Sequence, residues 1–164
     1  MLEVYIDGAS AGNPGPSGAG IFMNENGAVE RFAIPLGLMD NHEAEYWALI
    51  KALEICCKKN AQTVSFRTDS QAIWSAMEKE FAKNKKYAPL LEQAVKLSKE
   101  IPLFFIKWIP SSQNKAADEL ARKAVQQCKE DISVTRNSSR ISHCFSSYLF
   151  GARRSLLCKM RFLF

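Results

Sequence analysis

The sequence predicts an α/β fold: a mixed five-stranded sheet, three antiparallel strands followed by two parallel ones, with helices on both faces. Three observations lead there. Strand-like runs at residues 2–6, 19–23 and 29–36 follow one another with only turn residues between them, which makes an antiparallel meander. From residue 41 onward, helical patterns alternate with two further apolar runs, at 63–68 and 103–109. Strands separated by helices pair in parallel through right-handed crossovers, so the sheet is mixed and its faces are covered.

The first run is apolar and ends abruptly at Asp7-Gly8. Gly8, Gly12, Asn13-Pro14-Gly15-Pro16 and Gly18 follow, and no helix survives that density of breakers. Glycines beside a strand-end carboxylate also let a polyanion approach the main chain closely. The second strand returns over 19–23, and Gly27 turns the chain into the third. Asp40-Asn41 offers an N-cap for a helix running to about residue 60. Ala44, Trp47, Ala48, Ile50, Ala52, Leu53, Ile55 and Cys56 give that helix a broad apolar face. The fourth strand, TVSFRT, stops at Asp69, and Ser70 caps a helix carrying Ala72, Ile73, Trp74 and Met77. Lys79, Lys83, Lys85 and Lys86 lie in a polar stretch before a helix over 89–99. After the fifth strand, a loop at 110–114 caps a helix from Lys115 to about Lys129.

From about Asp131 the grammar lapses. DISVTRNSSRISHCFSSYLFGARRSLLCKMRFLF has no sustained period and no turn signal. The expected division is therefore a folded domain over 1–129 and an atypical tail over 130–164 outside it. At 164 residues there is one domain with enough chain for a real core. The net charge of +5 permits a polyanionic partner. No signal-peptide pattern opens the chain, and no apolar run approaches the roughly 18 residues that span a bilayer. Five cysteines without a CxxC pair indicate neither a zinc site nor a disulfide framework. The expectation is a cytoplasmic, reduced, monomeric protein with no membrane contact.

Asp7 and Asp69 end strands, at the sheet rim where α/β folds gather ligands. Glu45 and Asp118 fall in the first turns of helices that begin at that rim. Glu43 sits about 200° around the helix from Glu45, so only one of the two faces the site, and Glu43 is the solvent residue. Four clustered carboxylates repel unless cations lie between them, and an oxygen-only set suits Mg²⁺ or Mn²⁺. Two such ions about 4 Å apart can clamp the attacking and leaving oxygens of a phosphodiester.

Four motifs give these acids a context. IDGASAGNPGPSGAG resembles the opening D-G-[SA]-x-x-G-N-P-G-P-x-G-x-G of type 1 ribonuclease H. NHEAEYWALIKALE, RTDSQ and NKAADELARKA are similar to that family's glutamate helix, D-S-Q strand end and final N-x-x-A-D helix, in the right order. The resemblance implies an endonuclease that cuts the RNA strand of RNA/DNA hybrids, leaving 5′-phosphate and 3′-hydroxyl ends. Asp7, Glu45, Asp69 and Asp118 would be catalytic and hold two Mg²⁺ ions, with Mn²⁺ as a substitute. Glu45 and the main chain of Gly8, Ala9 and Ser10 would sense the 2′-hydroxyl. Asn13, Asn41 and Gln71 match positions that contact the nucleic-acid strands.

The chain also departs from the family. Asp40 stands where many members have Thr, and would repel a nearby DNA phosphate. The loop Trp108-Ile-Pro-Ser-Ser-Gln113 lacks a histidine that many members carry, and His42 reads as a cap or surface residue. The basic substrate handle is absent. These departures predict weak activity in Mg²⁺, and make a hybrid-binding module of low turnover the alternative. A resolvase or exonuclease of the same superfamily fits the acids and not the opening motif. Trp47, Trp74 and Trp108 read as core residues rather than base-stacking ones.

Overall fold

The structure, a computed structural model, describes residues 1–141. Its elements in order are β1 (Leu2–Ser10), β2 (Gly15–Glu25), β3 (Ala28–Met39), α1 (Asn41–Lys58), β4 (Thr63–Thr68), α2 (Gln71–Lys79), α3 (Ala88–Lys99), β5 (Leu103–Trp108) and α4 (Lys115–Ile141), with a 3₁₀ turn at Ser111–Gln113. The sheet order is β3-β2-β1-β4-β5. Its first three strands are antiparallel, and β1, β4 and β5 are parallel. The expected fold class is the observed one.

Strand periodicity decides which face is core. Leu2, Val4 and Ile6 alternate inward along β1 and meet Val64, Phe66, Ile21 and Met23. Leu49, Ile50 and Leu53 of α1 close over them. Asp40 caps α1 as its sequence position suggests, accepting the Glu43 N–H at 2.8 Å.

Two features differ from expectation. First, β1 does not stop at Asp7. It runs on to Ser10, opposite a β2 that already begins at Gly15. The glycines are ladder residues, and helices occupy the space their side chains would take. A methyl group at Gly8 would overlap the Ala44 carbonyl and the Glu45 nitrogen, so α1 crosses directly over this backbone. A methyl group at Gly20 would overlap the Ala117 carbonyl and the Ala121 nitrogen, so α4 does the same on the opposite face. On the side where a Cβ would stand, these two glycines admit helix backbone.

Second, α4 does not end near Lys129 but continues to Ile141. Beyond Cys128 only Ile132 is even partly buried as far as Thr135, so no apolar face advertises the extension. Local bonds such as Gln126 Nε2 to Glu130 Oε1 (3.1 Å) carry the helix on, and it contains no Gly or Pro. Met1–Ile132 forms one structural unit, and Ser133 begins a second. The rest of the expected tail, 142–164, lies outside the described residues. Among the described residues no helix is long and apolar enough to cross a membrane.

Candidate active site

The register of the sheet assembles the site. In the parallel pair of β1 and β4, Ile6 lies opposite Thr68, so the next residues, Asp7 and Asp69, lie side by side where that pairing ends. Gly8 then lets α1 approach with Glu45. Gly20, directly across from Asp7 in the antiparallel pair, lets α4 approach with Asp118. All four carboxylates line one open cavity of about 660 Å³, together with Gly8, Ala9, Ser10 and Asn41. Asn13 and Gln71 do not line it. Asn13 sits in the exposed β1–β2 turn, and Gln71 opens a neighbouring groove.

The electrostatics are those of crowded negative charge. Burial, then the charges of Asp69, Asp118 and Glu45, push the Asp7 carboxyl up to about 7, against a pull from the Gly8 N–H. Burial also raises Glu45, with Asp69 adding to it; Ser70 and His42 act in the other direction.

Several partners were not legible beforehand. Ser70 Oγ donates to Glu45 Oε2 at 2.8 Å, and Asn41 Nδ2 to Glu45 Oε1 at 3.3 Å. Asn114 Nδ2 donates to both Asp69 Oδ1 (2.9 Å) and the Ile6 carbonyl (3.0 Å), tying β1, β4 and the start of α4 together. Asn114 is only 1% exposed, and its Oδ1 is buried with no hydrogen-bond partner. The Trp108 indole N–H donates to the Asp69 carbonyl at 3.0 Å. Arg122 Nε reaches Asp118 Oδ1 at 2.9 Å, one helical turn on. The signals were present for two of these: Asn114 is the Asn of the NKAAD motif, and Arg122 lies at i+4 from Asp118.

Other expectations need correcting. His42 is exposed, as a surface residue would be, yet its Nδ1 lies 3.4 Å from Glu45 Oε2. Asp40 is not left as a bare repelling charge. Burial raises its carboxyl, but Lys86, the Glu43 N–H and the Tyr87 hydroxyl outweigh this and hold it below the usual range. Trp47 packs against the core, whereas Trp74 and Trp108 are 38% and 39% exposed. Trp74 lies off the buried Ile73–Ala76–Met77 face of α2, and Trp108 ends an edge strand.

A hard divalent cation fits this donor set: oxygens only, all carboxylate, and crowded closely enough that Asp69, Asp118 and Glu45 raise the Asp7 carboxyl. The cavity is open. Among the described residues no three Asp, Glu, His or Cys side chains form a ready-made metal cage.

The sequence profile of the family described as reverse transcriptase-like matches residues 5–124. A relative named putative hydrolase EbsB, from Enterococcus faecalis, is 46% identical over 129 residues, covering 77% of this chain and 96% of its own. The crystal structure of ribonuclease H1 from Halobacterium salinarum superposes with a TM-score of 0.72 at 29% identity, over 77% of this chain and 98% of that one. LC11 ribonuclease H1, solved in complex with an RNA/DNA hybrid, superposes with a TM-score of 0.71 at 28% identity, over the same shares.

Proposed function

The chain belongs to the reverse transcriptase-like family with a ribonuclease H fold, and from that premise we propose that it is a ribonuclease H cutting the RNA strand of RNA/DNA hybrids. The observation that carries the proposal is the meeting of Asp7, Glu45, Asp69 and Asp118 in one cavity rimmed by the main chain of Gly8 to Ala11. Held by those carboxylates, two Mg²⁺ ions, or Mn²⁺ in their place, would supply an activated water and neutralise charge building on the phosphodiester.

The chain's own residues do the positioning. Ser70 and Asn41 fix both oxygens of Glu45, leaving that carboxylate oriented toward the rim. Asn114 aims Asp69, and Arg122 balances Asp118 from the solvent side. Glu45 and the main chain of Gly8, Ala9 and Ser10 would read the 2′-hydroxyl, and Asn41, Asn13 and Gln71 would follow the strands on either side. The single O–H of Ser10 has the Gly12 and Met39 carbonyls within reach, at 2.7 and 2.9 Å, so its main chain rather than its hydroxyl would serve as donor to substrate. We assign the protein to the cytoplasm, as a monomer.

The test is incubation of the purified protein with a labelled hybrid and with duplex DNA of the same sequence, in Mg²⁺ and in Mn²⁺. The RNA strand of the hybrid is cut to 5′-phosphate and 3′-hydroxyl ends, and the duplex DNA survives. Equal cleavage of the two, or cleavage of neither, refutes the proposal.

A further inference from the structure

Gln71 leads away from the carboxylates. With Trp74 and Glu78 it forms one face of α2, and that face and the end of β5 enclose a groove of about 460 Å³ whose other wall carries Lys107 and Trp108. Both indoles are more than a third exposed: Trp74 lies off the buried Ile73–Ala76–Met77 face of α2, and Trp108 ends an edge strand. The groove follows the catalytic cavity along the chain. Asp69 and Ser70 line the cavity, Gln71 follows them in the chain, and the Asp69 carbonyl is the acceptor for the Trp108 indole.

Resting on the ribonuclease reading above, we propose that this groove binds an unpaired nucleobase of a strand continuing out of the hybrid. Indole faces stack on any base, so the contact is tolerant of sequence. Inside a duplex both faces of a base are already covered by its neighbours, so only a base that has left the duplex can enter between Trp74 and Trp108. Lys107 is the groove's cation and takes the phosphate. Glu78 repels phosphate, which places the backbone on the β5 side and the base edge toward α2. There the Gln71 amide and the Glu78 carboxylate can meet base amino and carbonyl groups. The substrate class is therefore a hybrid with a single-stranded extension, in preference to a blunt one.

The test uses the full chain without divalent cation. A labelled five-nucleotide single strand, oligo-U or oligo-dT, is titrated by anisotropy, with tryptophan emission followed in parallel. The expected result is saturable binding with quenching. Trp74→Leu and Trp108→Leu each weaken it roughly tenfold, Trp74→Phe retains most of it, and Lys107→Glu weakens it and flattens its salt dependence. In Mg²⁺, Trp74→Leu cuts a blunt hybrid like wild type but loses the lower KM on a hybrid with an extension. Single-strand affinity unchanged in Trp74→Leu overturns the proposal and leaves the groove to another occupant, such as an extended protein segment. The two readings fail separately. A wild type that binds the single strand through Trp74 but cuts no hybrid removes the nuclease and keeps the groove; one that cuts hybrid while Trp74→Leu binds like wild type does the reverse.

Discussion

Asp7 is the residue in which the conflict between folding and function is plainest. Burial and three neighbouring acids raise its carboxyl to about 7 from an ordinary 3.8. The folded state thus keeps a proton over a range in which the unfolded chain has lost it. By linkage, the stability this group contributes is complete below pH 3.8 and disappears as pH rises through about 7. Asp7→Asn removes the titration. Without metal, wild type and variant should have similar melting temperatures near pH 4, and the variant should pull ahead as pH rises, with the gap level above pH 7. Each pKa unit is worth about 1.4 kcal/mol before solvent screening, so roughly 1–2 kcal/mol is expected for a partly exposed group. That corresponds to about 2–8 °C in a domain of this size. Mg²⁺ should close the gap by stabilising only the wild type, and cleavage should vanish in the variant. Thermal melts across pH, with and without Mg²⁺, check this; a variant that melts lower at pH 8 would make Asp7 a structural residue.

At the scale of elements, the site is delivered by helices that need bare backbone beneath them. Gly8→Ala places a methyl group against the Ala44 carbonyl, which is backbone and cannot swing aside, so α1 must shift. Overpacking of this kind typically destabilises by about 1–3 kcal/mol. Because the displaced helix carries Glu45, kcat should fall further than stability, by as much as about 10²-fold for a shift near 1 Å. Denaturation midpoints and single-turnover rates test the pair, and wild-type kinetics in Gly8→Ala would show that the crossing is loose. The same glycines explain where the sequence was readable. Asp40 as cap and Thr63–Thr68 as strand were legible because capping and alternation are local signals. The glycine stretch hid its strands because glycine has no side chain with which to show a period. The stretch of α4 from 129 to 135 hid because, Ile132 apart, its residues are exposed and show no apolar period. Of the site, the four acids were readable from motif and placement. The Ser70–Glu45 and Asn114–Asp69 bonds join residues 25 and 45 positions apart, and only the folded sheet brings them together. Trp108 was misread because residue type does not reveal that a strand lies at a sheet edge, and Trp74 because it stands beside the buried Ile73–Ala76–Met77 face of α2 rather than on it.

For the whole molecule, charge and fold divide at the same place. Of the 22 Lys and Arg, six lie beyond Ile132: Arg136, Arg140, Arg153, Arg154, Lys159 and Arg161. None of the 17 Asp and Glu does, so residues 1–132 carry 16 bases against 17 acids. The net positive charge of the chain therefore belongs entirely to residues 133–164, whereas the carboxylates and the core belong to Met1–Ile132. Among the described residues the last buried side chain of α4 is Cys128, 3% exposed, whose thiol donates to the Gly37 carbonyl at 3.5 Å. A chain stopped after Ile132 keeps that contact. It should fold with an unchanged melting temperature and cut hybrid with an unchanged kcat. Its KM at low salt should rise, because six cations near a polyanion raise affinity by counterion release, with a slope of about 0.9 in log K per phosphate neutralised. The dependence of KM on salt should flatten accordingly, and the two chains should converge at high salt, where screening removes the difference. A chain stopped after Ala124 loses Val125 and Cys128 from under the sheet and should be markedly less stable, since each buried apolar side chain contributes about 1.5–3 kcal/mol. Kinetics of both truncations at several salt concentrations decide the matter. A fall in kcat or melting temperature on stopping after Ile132 would place residues 133–164 within the working fold, and an unaltered salt slope would deny them a part in holding the hybrid.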